Sequence, residues 1–173
     1  GALASAINKL QDRPMSSDLI LPIKYFIEFI GPELNPKNQF VLSNSVLLSA
    51  TILSQLEATF PAMVRTTMAP TMINGGNKTN VLPRSANAKL NFRIRQGNTV
   101  NQVKDYVVRT INDSNINVSI SNLSKTSNPS KVSSIESSSF NIIHKTIKQI
   151  FPETVVAPGL VLGATDSRYY QNI

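Results

Sequence analysis

The chain contains no cysteine, which excludes disulfide bridges and thiolate metal sites. Histidine is almost as scarce, with His144 the single example among 173 residues. Two-metal hydrolytic centres draw on several His and carboxylate ligands, so none is expected to be built from this chain alone. No apolar run approaches the ~20 residues needed to cross a bilayer, and no membrane partner is expected. The opening GALASAINKL lacks the basic region, apolar stretch and cleavage site of a secretory leader. It also lacks an initiating Met, so the sequence reads as a piece of a longer protein. The formal charge of +7 comes from residues spread along the chain, with no basic run of five or more. Such scatter reads as a solvated surface and gives no track for nucleic acid. A hydrophobic content of 41% is that of a globular chain, long enough for one domain or one domain with part of another.

What is present centres on residues 63–95. From residue 86 onward, Ala86, Ala88, Leu90, Phe92 and Ile94 alternate with Asn87, Lys89, Asn91, Arg93 and Arg95. A period of two predicts a strand with one buried and one wet face. Residues 64–73, rich in Thr, Val, Met and Ile, predict a partner strand, in which Pro70 points to an edge or a bulge. The connection over residues 74–84 is far longer than a tight hairpin turn. Gly75 and Gly76 let its backbone turn, and Pro83 stiffens the re-entry. It reads either as a ligand-contacting loop or as a long polar hairpin loop.

Flanking patterns supply helices. Residues 2–11 place Leu3, Ile7 and Leu10 at helical spacing before Pro14. A second helix is expected from about Leu19, capped by Ser16, Ser17 or Asp18, with a stripe of Ile20, Ile23, Phe26, Ile27 and Ile30. A loop is expected over residues 36–41, then a helix over 45–60 through Val46, Leu48, Ile52, Leu53 and Leu56. Thr99 and Gln102 form a capping box for a helix over 100–112 that carries Val100, Val103, Val107 and Ile111 on one face. Alternation of Ile116, Val118 and Ile120 with polar residues predicts a third strand. The Ser-rich stretch 124–139 can bury little and reads as a linker. A last helix carries Phe140, Ile143, Ile147 and Ile150, with His144 beside the stripe as a surface or boundary residue, and residues 155–162 read as a short apolar strand. The order is that of an α+β fold, a ferredoxin-like antiparallel sheet with one strand missing and helices on one face. Four Asn-x-Ser/Thr sequons, at Asn77, Asn112, Asn117 and Asn122, are no more than chance yields in a chain this rich in Asn and Ser.

Four short segments occur in a telling order: Arg65-Thr66-Thr67, Asn80-Val81-Leu82-Pro83, Asn91-Phe92-Arg93-Ile94, and Thr165-Asp166-Ser167-Arg168 followed by two tyrosines. Together they resemble the lid, or dimerisation, domain of the zinc-dependent aminoacylase and carboxypeptidase family, in its Gly-X carboxypeptidase and N-acyl amino acid hydrolase branch. The resemblance implies a lid domain over residues 1–123, helical over 1–62 and sheet-forming over 63–123. It further implies that 124–139 is a linker and that 140–173 is a fragment of the returning α/β catalytic domain. The parent enzyme would hydrolyse an amide next to a free carboxylate, using zinc, and would act on a peptide or N-acyl amino acid as a homodimer paired through the lid. The metal-bearing catalytic domain would be the missing partner, and no zinc would be held by this chain. By the same resemblance Asn80 and Arg93 bind substrate, Arg168 captures its carboxylate, Gly163 and Thr165 shape the adjacent wall, and Asp166 holds the arginine or the loop. No catalytic or metal-ligating residue is assigned. The competing expectation is a ferredoxin-like interaction or nucleic-acid-binding module without enzymatic role. Against nucleic acid, the strand's one aromatic, Phe92, falls on the apolar side, where it offers no stacking platform.

Overall fold

The computed structural model describes residues 1–33, 45–122, 126–163 and 165–170. The expected loop 36–41, the side chains of Val46 and Leu48, and residues 124 and 125 of the Ser-rich stretch lie outside the described residues. In chain order the elements are α1 (Ala2–Asp12), α2 (Leu21–Ile30), a 3-10 turn (Gly31–Glu33), α3 (Ser45–Thr59), α4 (Pro61–Val64), β1 (Thr67–Gly75), β2 (Ala86–Arg93), α5 (Val100–Ile111), α6 (Ser138–Ile150) and a second 3-10 turn (Asp166–Tyr169). Helices with one antiparallel hairpin make this an α+β chain, as the patterning predicts. The elements fall into two compact units, Gly1–Ser16 with Arg65–Pro129 and Ser17–Val64 with Ser130–Ile173.

In the first unit α1 and α5 cover one face of the hairpin. Ala6 and Leu10 of α1 and Val107 and Ile111 of α5 are buried together, with Met68, Leu90, Phe92, Tyr106, Ile116 and Val118 packed around them. The residues that pair across the hairpin run from Thr67 opposite Arg93 to Gly75 opposite Ala86. The register slips between Pro70 and Met72. This is the bulge that a proline without an N–H invites, and Thr71, the extra residue, donates its hydroxyl to Lys89 O at 3.2 Å.

Helix α5 begins as its sequence dictates. The Thr99 hydroxyl accepts from the Gln102 amide and the Gln102 side chain accepts from the Thr99 amide, at 3.2 and 2.8 Å. It ends at Asn112, whose left-handed φ of 45° closes a bond to Val108 O. Lys9 of α1 donates to Ile111 O at 2.6 Å, setting a cation at the negative end of α5. Tyr106 donates to Arg13 O, and so ties α5 to the end of α1.

Two expectations fail in this unit. β1 starts at Thr67, because Val64 belongs to α4. Residues 116–120 form no strand, and the sheet has two strands among the described residues. Their alternation is real, with residues 116, 118 and 120 half-buried and 117 and 119 exposed. Alternating burial needs only an extended chain over a core, whereas a strand also needs a neighbour's edge to bond.

The second unit packs Leu19, Ile23 and Val64 at its centre, with Ile27, Ile52, Leu53, Leu56, Met63 and Leu160 around them. Helix α2 starts two residues later than expected and without a side-chain cap: Ile20 is the N-cap and Pro22 occupies the first turn, where its fixed φ suits a helix start. Asp18 instead donates its amide to Val64 O at 2.9 Å. Phe26, expected in the core stripe, is exposed. Helix α6 is capped by Ser137, which accepts from the Phe140 amide. Its inward side is Phe140, His144, Ile147 and Lys148, all half-buried, while Ile143 and Ile150 face solvent. Phe140 meets Phe29 edge to face at 6.0 Å. The apolar segment 155–162 is not a strand. No helix among the described residues is long and apolar enough to cross a membrane.

Candidate functional site

The wet face of β2 is a regular row of polar side chains. Asn87, Lys89, Asn91 and Arg93 are exposed, whereas Ala88, Leu90, Phe92 and Ile94 are half-buried, so the expected alternation holds along the strand. Arg93 stands on the last rung, opposite Thr67. Its guanidinium offers a planar fork of donors suited to a carboxylate or an amide oxygen.

What fixes that rung is a residue the sequence patterns did not single out. Thr66 is 3% exposed, and its hydroxyl accepts from the Arg95 amide at 3.1 Å and donates to Asn98 Oδ1 at 2.9 Å. Asn98 in turn donates its amide to Arg95 O across a turn whose third residue, Gly97, has φ +92°. One hydroxyl therefore clamps the entry of β1 to the exit of β2, immediately beside Arg93. The only trace in the sequence is the Thr-Thr pair of the first motif.

Asn80 lies at the opposite end of the hairpin, exposed in the loop between the strands. The seven residue steps from Ala86 to Arg93 span roughly 23 Å of strand, so a ligand touching both requires the loop to lie back along the sheet. The loop is pinched at its base, where Gly76 takes φ +76° and a Cβ there would sit 3.9 Å from Pro83 Cγ.

The remaining expected residues, Gly163, Thr165, Asp166 and Arg168, belong to the second unit. All four are exposed, and Asp166 and Arg168 share the short 3-10 turn. The turn follows an irregular segment, which corrects the expectation that it caps a strand. Arg168 Nη2 donates to Tyr169 Oη at 2.7 Å, and its guanidinium carbon sits 4.8 Å from the Tyr169 ring centre. The Tyr169 hydroxyl, and to a lesser degree the charge of Asp166, push Arg168 above its ordinary value. Tyr169 was not foreseen as its partner. Gly163 has an ordinary φ, and a Cβ there would meet Val161 at a normal 3.9 Å.

Among the described residues no three His, Asp or Glu side chains converge as metal ligands would.

The chain matches the family description "Peptidase dimerisation domain" over residues 22–119, more than half its length and including both strands and the whole of α5. The chain belongs to this peptidase dimerisation domain family. It is 42% identical over 176 residues to "Probable carboxypeptidase S-like 2" of Dictyostelium discoideum, covering all of this chain and 33% of that protein. It is 34% identical over 178 residues to an N-fatty-acyl-amino acid synthase/hydrolase of Danio rerio, covering all of this chain and 34% of that protein. The human protein of that name is 28% identical over 180 residues, with 35% of its length covered. The chain thus spans about a third of the length of the curated relatives it matches. No solved structure matches it.

Proposed function

We propose that this dimerisation domain also serves as a substrate-binding lid of a zinc-dependent hydrolase that cleaves an amide next to a free carboxylate. The observation that carries the reading is the exposed Arg93 on the wet face of β2, inside the segment that matches the family and two residues before Arg95, whose amide the Thr66 hydroxyl holds. In this reading Asn80 meets the peptide group through its amide, which both donates and accepts, and Arg93 meets a substrate oxygen. Taken separately, the second unit presents Arg168 to the substrate's free carboxylate, with Gly163 and Thr165 beside it and Asp166 steadying the turn. Residues 140–173 then belong to the returning catalytic segment. The relatives named for fatty-acyl amino acids support an N-acyl amino acid as substrate, and the one named carboxypeptidase supports a peptide.

The metal and the general base lie in parts of the parent outside these 173 residues, so this chain alone is inactive and holds no zinc tightly. Elemental analysis of the purified chain after mild chelation checks this, and one zinc per chain would overturn it. Arg93→Ala in the full-length enzyme lowers kcat/KM about 10- to 100-fold, as expected for a lost charge-assisted hydrogen bond, with the dimer mass by light scattering unchanged. Unchanged kinetics with a weakened dimer would instead leave a module that only pairs subunits.

A further inference from the structure

Arg93 stands at the end of the hairpin ladder, and its backbone is held differently on its two sides. One residue earlier, Phe92 pairs with Met68, and both pack on the core formed by α1 and α5. One residue later the ladder is over, since Arg93 opposite Thr67 is its last pair at this end. Strand ends fray, because residues past the last pair have no neighbouring strand to bond. Here the Thr66 side chain takes over. Its hydroxyl accepts from the Arg95 amide at 3.1 Å and so joins the two strands again just past Arg93.

A hydroxyl has one hydrogen to give and two lone pairs to offer, so its other neighbour decides what it turns toward Arg95. Asn98 Oδ1 takes the hydrogen at 2.9 Å, which leaves a lone pair for the Arg95 amide. Asn98 is returned to that place by the turn from Arg95, in which Gly97 takes φ +92°. At 3% exposure Thr66 is out of reach of solvent, so water does not replace either bond. The core-packed pair before Arg93 and this bond after it bracket the backbone that carries an exposed guanidinium. Such bracketing matters where a directional grip must be ready before its ligand arrives.

We propose that Thr66, oriented by Asn98, is a positioning residue for Arg93, fixing the backbone from which the guanidinium meets substrate. This rests on the lid reading above, in which Arg93 touches substrate and Thr66 does not. The test is a double-mutant cycle in the full-length enzyme, with hydrolysis of N-dodecanoyl-leucine measured for the wild type, Thr66→Val, Arg93→Ala and the double variant. All assays run at a temperature where circular dichroism shows each variant folded. Thr66→Val lowers kcat/KM about tenfold beside a native Arg93, in keeping with the cost of misplacing a binding group by a fraction of an ångström. In the Arg93→Ala background the same change alters kcat/KM by less than about twofold, because no guanidinium remains to be positioned. Thr66→Ser keeps the hydroxyl and stays within about twofold of the wild type. Asn98→Ala removes only the group that orients the hydroxyl; its loss is smaller, depends equally on Arg93, and carries the cycle by itself should Thr66→Val not fold. Equal losses in both backgrounds mark a role in folding alone and overturn the proposal. So does a Thr66→Val enzyme as active as the wild type, or a Thr66→Ser enzyme as impaired as Thr66→Val. Unchanged turnover in Arg93→Ala sinks the lid reading itself, whereas lost turnover there beside an additive effect of Thr66→Val sinks only the positioning role.

Discussion

The Thr66 hydroxyl joins the start of the hairpin to its end through Arg95 and Asn98, partners 29 and 32 residues away in sequence, and nothing local announces it. Thr66→Val keeps the shape and strands the Arg95 amide and the Asn98 side chain, so unfolding free energy drops by about 1–3 kcal/mol in a urea titration. Tyr106 gives a second test. Burial raises its phenol above the ordinary value, more than a side-chain hydrogen bond with Thr110 lowers it. A raised folded value means that the folded state keeps its proton longer than the unfolded one. The associated stability is complete below the ordinary Tyr value of about 10 and is lost as pH rises through the folded value. Urea midpoints should therefore fall between pH 9 and 11 more steeply in the wild type than in Tyr106→Phe, and parallel curves would contradict this. Neither residue's role was legible in the sequence, because each depends on contacts between distant segments. By contrast, the exposure of Arg93 follows from its place in a strict alternation.

Elements were legible where a local rule sufficed. The capping box of Thr99 and Gln102 fixes the start of α5 without tertiary help, and Thr99→Ala lowers stability by about 1 kcal/mol, readable as a lower thermal midpoint. β2 was equally plain, since half-burial of every second residue is written in its composition. The expected third strand, residues 116–120, shows the limit of that logic. Its side chains alternate in burial, yet pairing depends on an edge that no sequence period reports. In α6 the apolar period was present but its phase was displaced, so that His144 lies on the inward side beside Phe140 while Ile143 and Ile150 do not. A helix with no fully buried residue leaves its phase to whichever neighbour it meets.

At the scale of the molecule, the sequence's absences carried as much as its motifs. The lack of cysteine and the single histidine turned the reading away from a metal centre within the chain, and the order of four motifs led to the dimerisation domain that the family match establishes. Asn80 in the loop and Arg93 at the far end of its strand follow from the pattern, whereas the path of the ten-residue loop between β1 and β2 answers to no period. The central claim is that Arg93 grips substrate. Calorimetric titration of a non-hydrolysable N-acyl amino acid analogue into the full-length enzyme measures that grip apart from catalysis. The account predicts that Arg93→Ala weakens the affinity about 10- to 100-fold and that Arg93→Lys, which keeps the charge and loses the fork, recovers only part of it. Equal affinities for the wild type and Arg93→Ala would contradict it.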